Sequence, residues 1–250
     1  MSIKPHSFIV AAFLFFSSGQ LMAGPPFVTD DPEPVEEHGW EVNYAASKTW
    51  EPHGASAAMP AIDINYGFTK DIQLHAQPRY SYERDGRHHE YRIDNTEVGV
   101  KYRFLHQTAN GKEFMLGLYP LLQLPTGNSR LGDARGKSQW FLPLWAQLNV
   151  DKWIMYGGGG YRINHYENSK NSWFTGGTVL YKVSDSLKMG GEVFDESATE
   201  QGGKHTSGFN LGGIYNLSPD YAILFSAGKA LNNVSENYRL STYIALQVIY

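Results

Sequence analysis

From Trp40 to Tyr250 the dominant hydropathy period is two, sustained over segments of about 10–13 residues. A period of two marks a strand whose two faces meet different surroundings. The length constrains the fold further, because ordinary strands average about 5–6 residues and a tilted strand crossing a bilayer needs about 9–11. Ile62, Ile64, Tyr66 and Phe68 alternate with Asp63, Asn65 and Gly67. Val98, Val100, Tyr102 and Phe104 alternate with Gly99, Lys101 and Arg103. At the end of the chain, Leu240, Thr242, Ile244, Leu246, Val248 and Tyr250 share one face. Arg239, Ser241, Tyr243, Ala245, Gln247 and Ile249 share the other, with Ile249 as the apolar exception. Further segments at 39–50, 71–83, 113–124, 138–150, 152–165, 172–183, 187–196, 207–217 and 221–229 bring the expected number to about twelve.

The connections separate a membrane barrel from a soluble β-sandwich. Thr69-Lys70-Asp71, Val150-Asp151-Lys152, Ser184-Asp185-Ser186 and Ser218-Pro219-Asp220 are tight polar turns. Longer segments at 51–58, 84–92, 125–137, 166–171, 197–206 and 230–238 lie between them, with 105–112 a longer exception on the short side. Outer-membrane barrels sort connections this way, short turns toward the periplasm and long loops outside. Greek-key sandwiches have no reason to. The expected fold is all-β: a transmembrane antiparallel up-and-down barrel with an even strand number and periplasmic termini.

Composition agrees. Mean hydropathy is −0.39, too polar for a helical membrane protein but suited to a barrel whose alternate residues face a polar lumen. Sixteen tyrosines and six tryptophans fit two aromatic girdles at the bilayer interfaces. No cysteine is present, which excludes disulfides, cysteine-ligated zinc and a lipoprotein anchor. A net charge of −4 without a basic stripe argues against nucleic acid.

The chain opens like an export signal. Lys4 and His6 precede an apolar core from about Phe8 to Phe16, with cleavage expected after Ala23 although Leu21 is large for its place. A core of about nine residues is too short to span a bilayer of about 30 Å as a helix. Three parts follow: residues 1–23 a cleaved signal, 24–38 a Pro-rich acidic segment, periplasmic or inserted in the lumen, and 39–250 the barrel. Localisation in the outer membrane of a Gram-negative cell follows. So do the expected partners: membrane lipid and lipopolysaccharide, periplasmic chaperones and the barrel-assembly machinery, for which Tyr250 resembles the terminal signal.

If apolar faces meet lipid, the opposite faces supply the lumen. Glu41, Asp63, His75, Arg79, Glu97, Lys101, Arg103, Lys188, Glu192 and Arg239 then point inward, a set mixed in sign. Such groups can form a salt-bridge network that fills the barrel, since unpaired charges are costly when buried, or a constriction that selects solutes. Gly157-Gly158-Gly159-Gly160 is unusual within a strand, where glycine marks close approach of another chain, and the 24–38 segment is one candidate to pack there. Pro78, Pro120 and Pro143 cannot donate to the ladder and predict local bulges.

No catalytic or metal constellation is legible. His88-His89-Glu90 lacks the spacing of a zinc helix and falls in a charged connection, as do His53, His106 and His205. His165 with Ser172 or Ser207 could be imagined into a hydrolytic site, but spacing does not support it. No cofactor is expected, and the chain reads as a non-enzyme.

The stretch Gly24-Pro25-Pro26-Phe27-Val28-Thr29-Asp30-Asp31-Pro32-Glu33-Pro34-Val35, followed by Gly39-Trp40-Glu41, resembles the start of the meta-pathway of phenol degradation family of bacterial outer-membrane transporter barrels. The similarity continues more loosely through Ile62–Phe68, Leu124-Pro125-Thr126-Gly127 and the aromatic terminus. The resemblance implies a transport-like barrel, some of whose relatives accompany catabolism of aromatic compounds. It carries no residue roles. Prolines disfavour helix and strand interiors, so residues 24–38 should be extended and acidic. Either they form a free periplasmic leader or they thread the barrel mouth, with Asp30, Asp31 and Glu33 meeting Arg79, Lys101 or Arg103. Passive uptake of small molecules, hydrophobic or aromatic ones included, is the leading expectation. A closed structural or interaction barrel and a lipid-modifying enzyme are the alternatives.

Overall fold

A computed structural model describes residues 25–85, 88–127, 137–165, 169–235 and 237–250. The expected export signal lies outside them. Fifteen strand segments appear: β1 (Trp40–Trp50), β2 (Gly54–Thr69), β3 (Ile72–Gln77), β4 (Arg79–Asp85), β5 (His88–Ile93), β6 (Thr96–Ala109), β7 (Lys112–Leu118), β8 (Leu121–Leu124), β9 (Gln139–Val150), β10 (Trp153–Asn164), β11 (Ser172–Lys182), β12 (Leu187–Glu196), β13 (Thr206–Asn216), β14 (Tyr221–Ala230) and β15 (Leu240–Ile249).

They form twelve walls of one antiparallel barrel, because β3 with β4, β5 with β6, and β7 with β8 are each a single interrupted strand. Closure comes from the last strand lying against the first, Glu41 opposite Ile249 through Trp50 opposite Leu240. Trp40 and Tyr250 exchange backbone hydrogen bonds of 3.1 and 2.9 Å at the seam. The aromatic terminus is thus the last rung of the closing pair. A closed barrel has no free edge to pair with another chain.

Connections alternate as expected, with three corrections. The segment 105–112 is no loop: β6 runs to Ala109, and Asn110 and Gly111 turn at φ 52° and 71°. Both residues with positive φ make the two-residue hairpin whose twist matches its strands, for which Asn-Gly is preferred. The expected loop 51–58 shrinks because β2 begins at Gly54. All described residues of the expected loop 84–92 belong to β4 and β5 instead, so His89 and Glu90 lie in a strand. His106 likewise lies in β6, where its Nε2 sits 2.7 Å from Glu113 Oε1.

Of the three prolines, Pro78 separates β3 from β4 and Pro120 separates β7 from β8. Pro143 behaves differently. β9 continues through it, opposite Gly160, with no register shift on that side. The neighbouring strand bears the interruption instead, at Tyr119-Pro120 between β7 and β8.

Burial shows which face is which. In β9, Trp140, Leu142 and Leu144 are exposed whereas Phe141, Trp145 and Gln147 are buried. Exposed leucines alternating with buried glutamine invert the rule for soluble proteins and mark the outer face as lipid-facing. Outward aromatic pairs sit near both ends: Trp40 with Tyr66 and Trp153 with Tyr181 by the short turns, and Tyr161 with Trp173 by the loops. Amphipathic rings favour those two levels of a bilayer. The core is the lumen itself.

Candidate lumen site

Two kinds of wall line the interior. On the loop side the inner faces of β8, β9, β11 and β12 contribute a largely aromatic cluster that includes Leu121, Phe141, Trp145, Phe174 and Phe194, joined by Tyr119 and Tyr238. Phe141 meets Trp145 and Phe174 edge-on at 6.4 and 6.0 Å, and Phe174 stacks on Phe194 at 6.1 Å. Such geometry suits the ring quadrupole. The sequence reading missed this cluster because β9 is apolar on both faces.

The second wall is polar and buried. Asp63 of β2 lies 3.0 Å from His75 Nδ1 of β3, and Glu97 of β6 lies 3.6 Å from His75 Nε2. Asn43 and Asn65 donate to Asp63, and Gln73 donates to Asn65. Arg79 is buried beside them at the start of β4. The period-two reading therefore placed Asp63, His75, Arg79, Glu97, Lys101 and Glu192 on the inner face, where all are buried. Two others differ. Arg103 turns to the short-turn rim, donating to Asp71 Oδ1 at 3.0 and 3.1 Å and to the Lys70 carbonyl. Arg239 is exposed and precedes β15 at the loop end, because pairing with β1 starts only at Leu240. A further inward pair joins Arg162 and Glu196 at 2.7 Å, with Ser172 Oγ donating to the same carboxylate and the guanidinium over Phe141.

Residues 25–38 run inside the barrel. From Trp40 at the short-turn end the chain rises into the lumen and touches strands around the whole circumference. The Val35 N–H donates to Gln73 Oε1 on β3 at 2.9 Å, and Gln147 on β9 donates to Glu33 Oε2 at 3.0 Å. Lys101 on β6 donates to Asp30 Oδ1 at 3.0 Å, Asp31 Oδ1 at 3.4 Å and the Glu33 carbonyl at 3.3 Å. Opposite, Glu192 on β12 accepts the N–H groups of Val28 at 2.9 Å and Thr29 at 2.8 Å, while Asn210 holds its Oε1. Ser226 on β14 donates to the Pro26 carbonyl. Phe27 packs with Tyr156 and Leu180, and Val28 packs against the aromatic cluster.

Glycine makes this path possible. A Cβ on Gly176 would collide with Thr29 Oγ1, one on Gly67 with the Glu36 carbonyl, and one on Gly117 with Pro32. Expectation and structure differ on where the smooth wall lies. The inward members of the four-glycine run, Gly158 and Gly160, face Leu142, Pro143, Leu144 and Trp145 of the neighbouring strand rather than the inserted segment. The segment meets glycine one strand further on, in β11.

Burial raises the carboxyl of Asp30 to about 7 despite the attraction of Lys101, with Asp31 adding to the rise. Burial and Asp31 likewise raise Glu33, against the hydrogen bond from Gln147. The seat is also incompletely satisfied: Asp30 Oδ2 and Thr29 Oγ1 are buried without a partner among the described residues.

The imagined hydrolytic groups are not brought together. His165 Nδ1 lies 3.0 Å from the Ser138 carbonyl, Ser172 donates to Glu196, and Ser207 donates to Asp195. No cluster of three or more His, Cys, Asp or Glu suited to a metal occurs among the described residues.

A closed antiparallel barrel of twelve strands with an apolar outer face and a polar, filled lumen is the fold of bacterial outer-membrane β-barrels. Residues 92–248 match the family described as "Putative MetA-pathway of phenol degradation", and the chain belongs to that family. Among solved structures it is similar to the COG4313 outer membrane channel from Pseudomonas putida F1, with a TM-score of 0.66 and 15% identity over 88% of this chain and 98% of that one. It is also similar to the KdgM porin, TM-score 0.55, 12% identity, 83% and 98% covered. The NanC porin has TM-score 0.55 and 10% identity, with 84% and 98% covered. No curated protein matches in sequence.

Proposed function

We propose that this protein is an outer-membrane channel for passive entry of small solutes, apolar and aromatic ones included, and that residues 25–38 are its plug. Short turns and both termini would face the periplasm, the usual orientation of such barrels. The observation carrying the reading is the way the segment is held. Polar side chains on separate strands, Lys101, Gln147, Glu192 and Ser226, anchor it, and it takes no place among the paired strands of the wall, so it can leave without unmaking them. A lumen of twelve strands is narrow, and a segment filling it blocks passage while seated. The similarity to channels and porins supports the same class.

A second reading is favoured by one observation. Phe141 and Trp145 are almost fully buried inside the loop-side lumen, as they would be in a barrel that is permanently closed and serves a structural or interaction role. Planar-bilayer recording of the wild type and of Glu192→Gln separates the two. A plugged channel gives rare openings in the wild type and frequent ones in the variant. Silence from both, with folded barrels, favours the closed barrel.

A further inference from the structure

The three hydrogen bonds made by the Lys101 ammonium all end on the inserted segment: Asp30, Asp31 and the Glu33 carbonyl. Its side chain is buried, and the Tyr119 ring lies 5.0 Å beneath the ammonium. When the segment leaves, a cation on the inner wall loses all three of these hydrogen bonds and keeps the aromatic face and the more distant attraction of Glu41 on β1. A buried ammonium in that state is expensive unless another anion or water takes the place. The residues that fill the site show what chemistry fits it. Val28 packs against the aromatic cluster to which Tyr119 belongs, and two residues on, Asp30 places a carboxylate on Lys101. An apolar body next to a carboxylate is the shape of a small organic acid.

We infer that Lys101, with Tyr119 beneath it, is a solute subsite for the carboxylate of a small apolar acid, and that the Val28–Asp30 stretch occupies it as an internal mimic. This rests on the reading of the segment as a displaceable plug. Glu192 sits across the segment and holds it through two backbone N–H groups without touching Lys101. It therefore offers a way to release the plug and leave the subsite intact. Solute and segment compete for one ammonium, so the acid would favour the open barrel as well as pass through it. A ligand shifts an equilibrium only by its differential affinity for the two states, and here the seated state has no vacant site for it.

Benzoate serves as the probe and benzamide as its neutral counterpart of the same shape. Isothermal calorimetry on folded Glu192→Gln protein in detergent should show benzoate binding at least ten-fold tighter than benzamide. Adding Lys101→Met should remove that preference while leaving the barrel folded, as judged by its heat-modifiable gel mobility. Should Glu192→Gln not fold, Gly176→Val, whose side chain would meet Thr29, releases the segment by another route and the same comparison applies. Equal binding of benzoate and benzamide, or a benzoate preference that survives Lys101→Met, overturns the subsite. Conductance of Glu192→Gln reports on the plug alone, so a barrel that opens but shows no carboxylate preference refutes this inference and not the channel reading.

Discussion

The Glu192 carboxylate accepts the backbone N–H of Thr29 at 2.8 Å, across a sequence separation of 163 residues and from inside the barrel wall. The Val28 N–H binds the other oxygen at 2.9 Å. An acid that caps two successive peptide N–H groups of a different part of the chain is a latch, because neither N–H has a strand partner among the described residues. Hydrogen bonds to charged groups contribute about 1.5–3 kcal/mol each, so the contact is strong enough to hold a segment and weak enough to exchange.

Glu192→Gln keeps the size of the side chain and removes its charge. The segment should unseat about ten- to a hundred-fold more often, the factor that about 1.5–3 kcal/mol commands. Limited proteolysis of the folded barrel checks this, since cleavage within residues 25–38 should accelerate by that factor while the strands stay resistant.

Gly176→Ala adds a methyl group where Thr29 Oγ1 now sits. The segment should be displaced, and Thr29→Gly in the same chain should restore it. Proteolytic protection of the single and double variants tests the pair. Additive effects would show that the two positions do not meet.

Acidity should act on the plug with a definite sign. Seating raises the Asp30 carboxyl from 3.8 to about 7 and raises Glu33 from its ordinary 4.5. The seated state thus binds protons more readily than the free one, so seating is favoured as pH falls. This contribution is fully present below about pH 4 and is lost as pH rises through about 7. Proteolytic exposure of the segment, recorded between pH 5 and pH 8, should therefore increase toward the alkaline end. An exposure that instead grows on acidification would mean that loss of the Lys101–Asp30 pair outweighs burial.

Trp145 is wholly buried in the loop-side cluster. Its replacement by alanine should cost about 3–5 kcal/mol, the usual penalty for deleting a large buried ring. The urea midpoint of the refolded barrel in detergent should fall accordingly. An unchanged midpoint would indicate that the cluster opens in the ground state.

The barrel was legible because its signals are local. Alternation at Ile62–Phe68 and the sorting of short and long connections both survive in the structure, as does the place of Tyr250 at the closing rung. Asn110-Gly111 was equally local, but the β6 residues leading into it, Leu105 to Ala109, are mixed in polarity and read as a loop. The inner aromatics were hidden for the opposite reason. In β9, Trp140, Leu142 and Leu144 face outward while Phe141 and Trp145 face inward, and apolar residues on both faces leave no period to read. The latch on Thr29 could not be read either: it joins positions far apart in the chain, and nothing near Glu192 in the sequence distinguishes it from a solvated lumen carboxylate. Composition did suggest that Asp30, Asp31 and Glu33 would find basic partners, yet it offered Arg79 and Arg103 as readily as Lys101. Position along the strand, which leaves Arg103 at the short-turn rim on Asp71, is what chose.

Because the chain has no cysteine, a single engineered pair can tie the plug to the wall. Thr29→Cys with Gly176→Cys places two thiols where the Thr29 side chain meets the Gly176 backbone, and the bond between them would hold the segment against the crowding that Gly176→Ala alone creates. Single-channel recording of this double variant, before and after a reductant, tests the plug most directly. The account predicts a silent barrel when oxidised and clear openings once reduced. Equal conductance in both states, with the disulfide verified by mass, would contradict it.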